Sequence, residues 1–325
     1  MRVVVVGATG HIGSYLVPRL VMAGHEVTAI SRGTRSPYFE HHAWRQVTQV
    51  QADRDAEDEA GVFGKRVAEL QPDAVVDLLC FTVPSARQLL DALVPTGCYL
   101  LHCGTIWVHG TAVTVPVTED AVRRPFGDYG TQKAAIENLL LSEARRGALP
   151  CTVLHPGHIV GPGWAPVNPA GNFNVKVFER LAKGEELALP HFGLETVHHV
   201  HADDVAQAFQ RALDHPAKAS GEAFHVVSAN AITLRGFAES VAGWFGRDAQ
   251  LSFQPWDTWA AGWSGADAQA TWEHVSRSPS ASIDKAVATL GYGPRYSSLE
   301  AVFEALTWLV ADGQVDSAGH KLAFP

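Results

Sequence analysis

Arg2-Val3-Val4-Val5-Val6-Gly7-Ala8-Thr9-Gly10-His11-Ile12-Gly13 is the stretch that decides the fold. Arg2 to Val6 is a short apolar strand. The glycines that follow it permit a tight turn, close approach of backbone to a pyrophosphate, and close packing of helix on sheet. Ile12 to Ala23 then continues as a helix, with Ile12, Leu16, Leu20 and Val21 on one face. Its first turn presents free N–H groups and the positive end of the helix dipole. A bare glycine pattern is weak evidence. In the order strand, turn, helix it predicts a dinucleotide cradle built from Gly7, Thr9, Gly10, His11, Ile12 and Gly13.

The first half continues in the same alternation. Glu26 to Ile30, Gln46 to Val50, Ala74 to Leu79, Cys98 to Cys103 and Cys151 to Leu154 are the further strands. Helical patterns lie near Glu59 to Leu70, Ser85 to Leu93 and Tyr129 to Arg146. Short apolar strands with crossover helices predict an α/β protein with a doubly wound parallel sheet. After Pro156 the texture changes. Pro156 to Gly171 is a Gly- and Pro-rich loop, followed by helices near Phe173 to Lys183, Asp203 to Leu213, Leu234 to Phe245 and Leu299 to Ala311. Pro255 to Ser280 has four tryptophans and no clear periodicity. The expected division is 1–155 for the dinucleotide domain and 156–325 for a smaller substrate lobe, with about 195–230 returning to the first.

Bulk properties exclude several classes. With 325 residues, 46% of them hydrophobic, the chain can bury a substantial core. A net charge of -9 without a basic run argues against nucleic acid as a partner. No apolar run approaches the ~18 residues that would span a bilayer, and no leader precedes the first strand. Cys80, Cys98, Cys103 and Cys151 match no zinc spacing and are expected as reduced core residues of a cytoplasmic protein.

The end of the second strand bears on the cofactor. An acidic residue there would bind the ribose 2′-hydroxyl of NAD. The sequence instead has Ser31-Arg32-Gly33, with Arg35 close behind. An arginine pairs with the 2′-phosphate of NADP, so NADP is favoured over NAD, with Arg32 as a plain solvated charge the alternative. Asp53 is a candidate for the adenine edge or an ordinary turn residue.

Tyr129-Gly130-Thr131-Gln132-Lys133 begins a helix, and residues four apart share a face. A phenol of pKa ~10 is a poor proton donor or acceptor at neutral pH, and a neighbouring ammonium favours its phenolate. That pairing predicts an acid/base site beside the cofactor.

Together these residues resemble the extended short-chain dehydrogenase/reductase family, also called the NAD-dependent epimerase/dehydratase family, whose core is a Rossmann fold. Leu100 to Gly110 looks like its strand and catalytic loop, with Thr105 at the Ser/Thr position and His109 in place of a tyrosine. Glu119, Pro125 and Glu137 echo positions around the active-site helix. His155 to Gly163 looks like the loop beside the nicotinamide, with His155 replacing an arginine. His201-Ala202-Asp203-Asp204-Val205-Ala206 and Leu290 to Trp308 match later family segments. The resemblance implies that Tyr129 is the acid/base, that Lys133 lowers its pKa and holds the nicotinamide ribose, and that Thr105 binds the reacting oxygen. It also implies cofactor contacts from Pro156 and His158.

Candidate substrate contacts are His109, Asn172, Asn174 and His199, with helix capping the plainer role for the asparagines. Trp256, Trp259 and Trp263 wall the pocket or fill the lobe. Seven histidines, His102, His109, His155, His158, His198, His199 and His201, gather near the carboxyl edge. No cysteine or carboxylate completes a recognisable set with them, so no metal is expected. Thr196 to Val200 lacks the arginine that nucleotide-sugar members use for a diphosphate, although a histidine or Arg295 can substitute. Ile106-Trp107 after Thr105 disfavours dehydration. The expected activity is hydride transfer between a nicotinamide and a polar, sugar-derived alcohol or ketone. Epimerisation by transient oxidation is the alternative, and a non-catalytic NADP(H) sensor a distant one. A homodimer through the Tyr129 helix is common in the family.

Overall fold

A computed structural model describes residues 1–324. The valines of β1 (Arg2–Val6) form the centre of the sheet, because a strand buried on both faces must be apolar at consecutive positions. The chain continues through α1 (His11–Met22), β2 (Glu26–Ser31), β3 (Thr48–Gln51), α2 (Arg54–Glu59), α3 (Phe63–Glu69), β4 (Ala74–Asp77), α4 (Val83–Leu93), β5 (Tyr99–Cys103), α5 (Gly127–Arg145) and β6 (Cys151–Pro156). The Ala223–Val226 strand returns from the second half to pair with β6. All pairings in this sheet are parallel, and the strand order is Ala223–Val226, β6, β5, β4, β1, β2, β3.

Helices cover both faces. On one, α1 packs against the Ala202–Asp214 helix around Leu16, Val17, Leu20, Phe209 and Phe224. Burying each such side chain contributes ~1.5–3 kcal/mol. On that face Arg19 also grips both oxygens of Asp203, at 2.7 and 2.6 Å. On the other, α3, α4 and α5 pack over Phe63, Leu89, Leu90, Ile136 and Leu140. A further core, around Phe178, Leu189, Phe237, Trp244, Trp259 and Leu306, belongs to the second half.

Several boundaries differ from expectation. Of the helix expected over Glu59–Leu70 only Phe63–Glu69 forms; Glu59 instead ends the separate helix α2, and Gly61, with a left-handed φ of 70°, lies between the two. The third strand starts at Thr48 because His42–Gln46 is a 3-10 turn, capped by the His41 ring accepting from the Ala43 N–H. The helix expected from Phe173 starts at Lys176. Pro255–Ser280, without visible periodicity, holds the helices Trp256–Ala261 and Gly265–Val275. No helix among the described residues is long and apolar enough to cross a membrane.

Candidate active site

At the carboxyl end of β1 the chain turns at Gly7 with φ 85°, a conformation that glycine adopts without a steric penalty. The Gly10 N–H donates to the Gly7 carbonyl at 3.0 Å, and the Ser14 N–H to the Gly10 carbonyl at 2.9 Å. Gly13 allows α1 to lie against that turn. A Cβ there would stand 2.3 Å from the Ala8 carbonyl oxygen. This close cradle at a helix start fits the pyrophosphate of a dinucleotide.

A groove extends from the cradle in two directions. The outer part is lined by Gly7, Thr9, Gly10, Arg32, Arg35 and Asp53. The inner part is lined by His11, Ile12, Gly13, Thr105, Tyr129, Lys133 and Pro156. Leu79 and Phe81, beyond the end of β4, border both. At the outer end the Arg32 carbonyl accepts from Gln51 Nε2 at 3.0 Å, which braces the loop. Asp53 lines the groove but uses one carboxylate oxygen to cap α2, accepting from the Asp55 and Ala56 N–H groups. Arg54 also lines the outer groove, but its side chain is buried and paired with Asp77.

At the inner end β5 delivers Thr105, and the first turns of α5 deliver Tyr129 and Lys133. Lys133 is buried, and its ammonium donates to the carbonyls of Cys80 and Cys103 at 2.8 and 2.7 Å. An ammonium has three donors, so one remains for a ligand in the groove. Burial lowers the Lys133 pKa, opposed in part by the neighbouring Cys103. Tyr129 keeps 42% of its surface open, with its ring edge-on to Trp107 at 5.7 Å. Burial pushes its phenol well above the usual tyrosine range, Cys103 adds to the rise, and the Thr105 hydroxyl opposes it. The expected lowering by Lys133 is therefore not the arrangement seen here. The ammonium lies 5.8 Å from the centre of the phenol ring, held by two carbonyls.

Five sequence expectations need correction. His158 was expected at the cofactor, but its ring turns away from the groove, 5.7 Å from the ring of His199 and 4.9 Å from that of His274. Its neighbours Gly157 and Ile159 line the groove instead, because alternate strand residues face opposite ways. His109 was expected at the substrate, yet it is buried with its Nε2 2.7 Å from His225 Nε2. Asn172 is fully buried, and its amide is spent on Asn168, on the Asn174 N–H and on Thr271. Asn174 donates to Asp267 and accepts from the Lys176 N–H. Both asparagines tie the loop to the Gly265–Val275 helix and have little left for a substrate. His199, also fully buried, directs Nε2 to the Val167 carbonyl at 3.0 Å.

Of the tryptophans, Trp259 is buried and donates to the Ala188 carbonyl, with Trp256 and Trp263 stacked beside it. They fill the lobe. The sequence reading missed Leu79, Phe81 and Tyr38 as groove residues. Leu79 was recoverable, since ligands in doubly wound sheets bind outside the carboxyl ends of the strands. Tyr38 was not. It reaches the groove through its N–H bond to Ser14 Oγ and its edge contact with Trp164, which in turn stacks on His11 at 3.7 Å.

Comparison with known proteins agrees with this geometry. Residues 3–226 match the NAD dependent epimerase/dehydratase family. The 2'-dehydrokanamycin reductase of Streptomyces kanamyceticus is 28% identical over 247 residues, 76% of this chain and 67% of that protein. The UDP-glucose 4-epimerase of Mycolicibacterium smegmatis is 28% identical over 277 residues, covering 78% and 86%. The structure of UDP-glucose 4-epimerase from Thermotoga maritima superposes with a TM-score of 0.72 at 20% identity, covering 96% and 99%. With a glycine cradle, a groove and a Tyr-Lys-Thr cluster in one place, the chain belongs to the NAD-dependent epimerase/dehydratase family and is an extended short-chain oxidoreductase or epimerase that uses a nicotinamide cofactor.

Proposed function

We propose that this protein is an NADP(H)-dependent reductase of a polar, sugar-derived ketone. The observation that carries the proposal is the Thr105–Tyr129–Lys133 cluster at the inner end of the groove. When bound, the nicotinamide supplies or accepts hydride. The Thr105 hydroxyl hydrogen-bonds the carbonyl oxygen, and the Tyr129 phenol gives that oxygen its proton as negative charge develops. Lys133 orients the nicotinamide ribose through its remaining N–H. Leu79 and Phe81 exclude water from the groove wall.

Arg32 and Arg35 support NADP over NAD. Both line the outer groove, no carboxylate ends β2, and Asp53 is engaged as a helix cap. A substrate without a nucleotide suits the lobe better. Arg295, the substitute considered for a diphosphate ligand, ion-pairs with Asp203 beside Arg19, and its backbone N–H bonds Asp204. The kanamycin relative, named for a reductase of a keto group, points the same way. Epimerisation is the second reading, favoured by the Mycolicibacterium relative. We place the protein in the cytoplasm, where its four buried free thiols persist, and expect a homodimer through α5.

Stoichiometry tests the proposal. A reductase offered keto sugars consumes one NADPH per alcohol formed and prefers NADPH to NADH. Turnover of a sugar without net cofactor change would instead establish the epimerase.

A further inference from the structure

Behind the catalytic cluster, three histidines from distant parts of the chain converge. His109 comes from the turn after Thr105, His155 from β6 and His225 from the Ala223–Val226 strand. They are 7%, 0% and 0% exposed. One ring nitrogen or more from each lies within 4.8 Å of those of the others. His109 Nε2 and His225 Nε2 approach to 2.7 Å, so two lone-pair positions meet around either a shared proton or a cation.

The ring centres stand 4.8, 5.8 and 6.3 Å apart. Three imidazoles on one tetrahedral ion, with metal–nitrogen bonds of about 2.0–2.1 Å, place their centres about 5 Å apart. The cluster therefore needs only small ring movements to close on an ion.

The outer partners also match. His225 Nδ1 donates to the Ser282 carbonyl at 3.0 Å, leaving Nε2 free to ligate. His155 Nε2 lies 3.0 Å from Glu137 Oε2. Neither nitrogen of this buried ring makes a well-aligned hydrogen bond, so one can face Glu137 while the other is left for an ion. A carbonyl behind the His225 ring and a carboxylate behind that of His155 are partners of the kind that orient metal-bound imidazoles. His109 Nδ1 faces Arg123 at 3.3 Å, but that guanidinium nitrogen already donates to the Glu119 and Ala121 carbonyls at 2.8 and 3.1 Å. Its other nitrogen pairs with Glu137 at 2.7 Å. Arg123 can therefore give up the imidazole and keep its stronger contacts. Two carboxylates, Glu119 and Glu137, stand against this single guanidinium, so an added cation is electrostatically favoured.

We propose that His109, His155 and His225 bind one divalent transition-metal ion of the zinc class, with Glu137 and the Ser282 carbonyl orienting the ligands. Imidazole-only donors suit zinc, nickel or copper rather than calcium or magnesium. The rings supply three of the four tetrahedral positions and a water or hydroxide fills the fourth; buried away from the groove, where no substrate reaches it, the ion has a structural role. It joins the segment carrying Thr105 to the edge of the sheet and to α5, and so sets the position of the Thr105 hydroxyl.

The test is metal content, which is read without turnover and so stands apart from the assigned reaction. Tag-free protein grown with added zinc is dialysed against metal-free buffer and measured by plasma mass spectrometry. Metal-stripped protein is then titrated with cobalt(II) and followed by visible ligand-field absorption. The expected result is one zinc per chain, a tetrahedral cobalt spectrum, and a melting temperature raised by zinc. His225→Gln and, separately, His109→Asn should lose all three. Wild-type protein that holds no metal and shows neither spectrum nor stabilisation would overturn the proposal, leaving a proton-sharing histidine pair only. Equal metal retention by folded His225→Gln and wild type would overturn it as well. The wild-type measurements decide the matter even where a variant fails to fold.

Discussion

Gly13→Ala puts the glycine cradle to a quantitative test. The added Cβ would stand 2.3 Å from the Ala8 carbonyl oxygen and 2.6 Å from that of Gly7, both main-chain atoms. The first distance falls about 1.1 Å short of the 3.4 Å at which ordinary contact begins. Either α1 or the turn must retreat by about that much. The helix is wedged in the core by Leu16, Val17 and Leu20, all fully buried, so retreat costs ~1–3 kcal/mol of folding stability. It also opens the phosphate cradle. A hydrogen bond of about 2.9 Å stretched by an ångström is lost, and each one to a charged oxygen contributes ~1.5–3 kcal/mol. Losing two removes ~3–6 kcal/mol, or roughly 10²- to 10⁴-fold in Kd. NADPH fluorescence titration alongside thermal unfolding measures both effects. A Gly13→Ala protein that melts like wild type and binds NADPH within threefold of it would refute the reasoning.

Other substitutions separate the remaining roles. Tyr129→Phe removes only the hydroxyl and leaves the ring beside Trp107. Steady-state kinetics should show kcat down by roughly 10²–10⁴ with cofactor affinity unchanged, and unaltered kcat would remove Tyr129 from the chemistry. Arg32→Ala should weaken NADPH by about 1.5–3 kcal/mol and leave NADH untouched, and equal losses for both would argue against a 2′-phosphate contact. Asp77→Ala removes the closer of the two carboxylates on the buried Arg54 guanidinium and leaves Asp58 at 3.3 Å, so calorimetry or denaturant unfolding should register a loss of up to about 3–5 kcal/mol. The same pair predicts a pH dependence. Burial raises the Asp77 pKa, but Arg54 and His102 more than offset that, so the folded value lies below the unfolded one. Its contribution is then complete above the unfolded pKa of about 3.9 and lost as pH falls through the folded value. Acid unfolding of wild type should show this loss, and Asp77→Asn should not.

Much of the architecture was legible in the sequence because it rests on local rules. Four consecutive valines and a glycine turn specify a buried parallel strand entering a helix, and the alternation of strand and helix specifies the doubly wound sheet. Tyr129 and Lys133 were visible for the same reason, since four-residue spacing puts them on one helix face, whereas Thr105 was picked out by the family resemblance. Boundaries were less visible where a single residue decides them, as Gly61 does between α2 and α3.

What the sequence by itself determined is the sheet, the glycine cradle and the types of residue at its mouth, because each follows from periodicity or backbone sterics within a few residues. Tertiary structure decided where side chains point and what they spend their hydrogen bonds on. It sent His158 away from the groove and committed Asn172 inside its own loop. It held Lys133 on two carbonyls and brought His109 to His225. Apart from the Asn172–Asn168 bond within the loop, those outcomes depend on partners 30 to more than 100 residues away, selected by burial and by the demand that buried polar atoms be paired. No local pattern encodes such a choice.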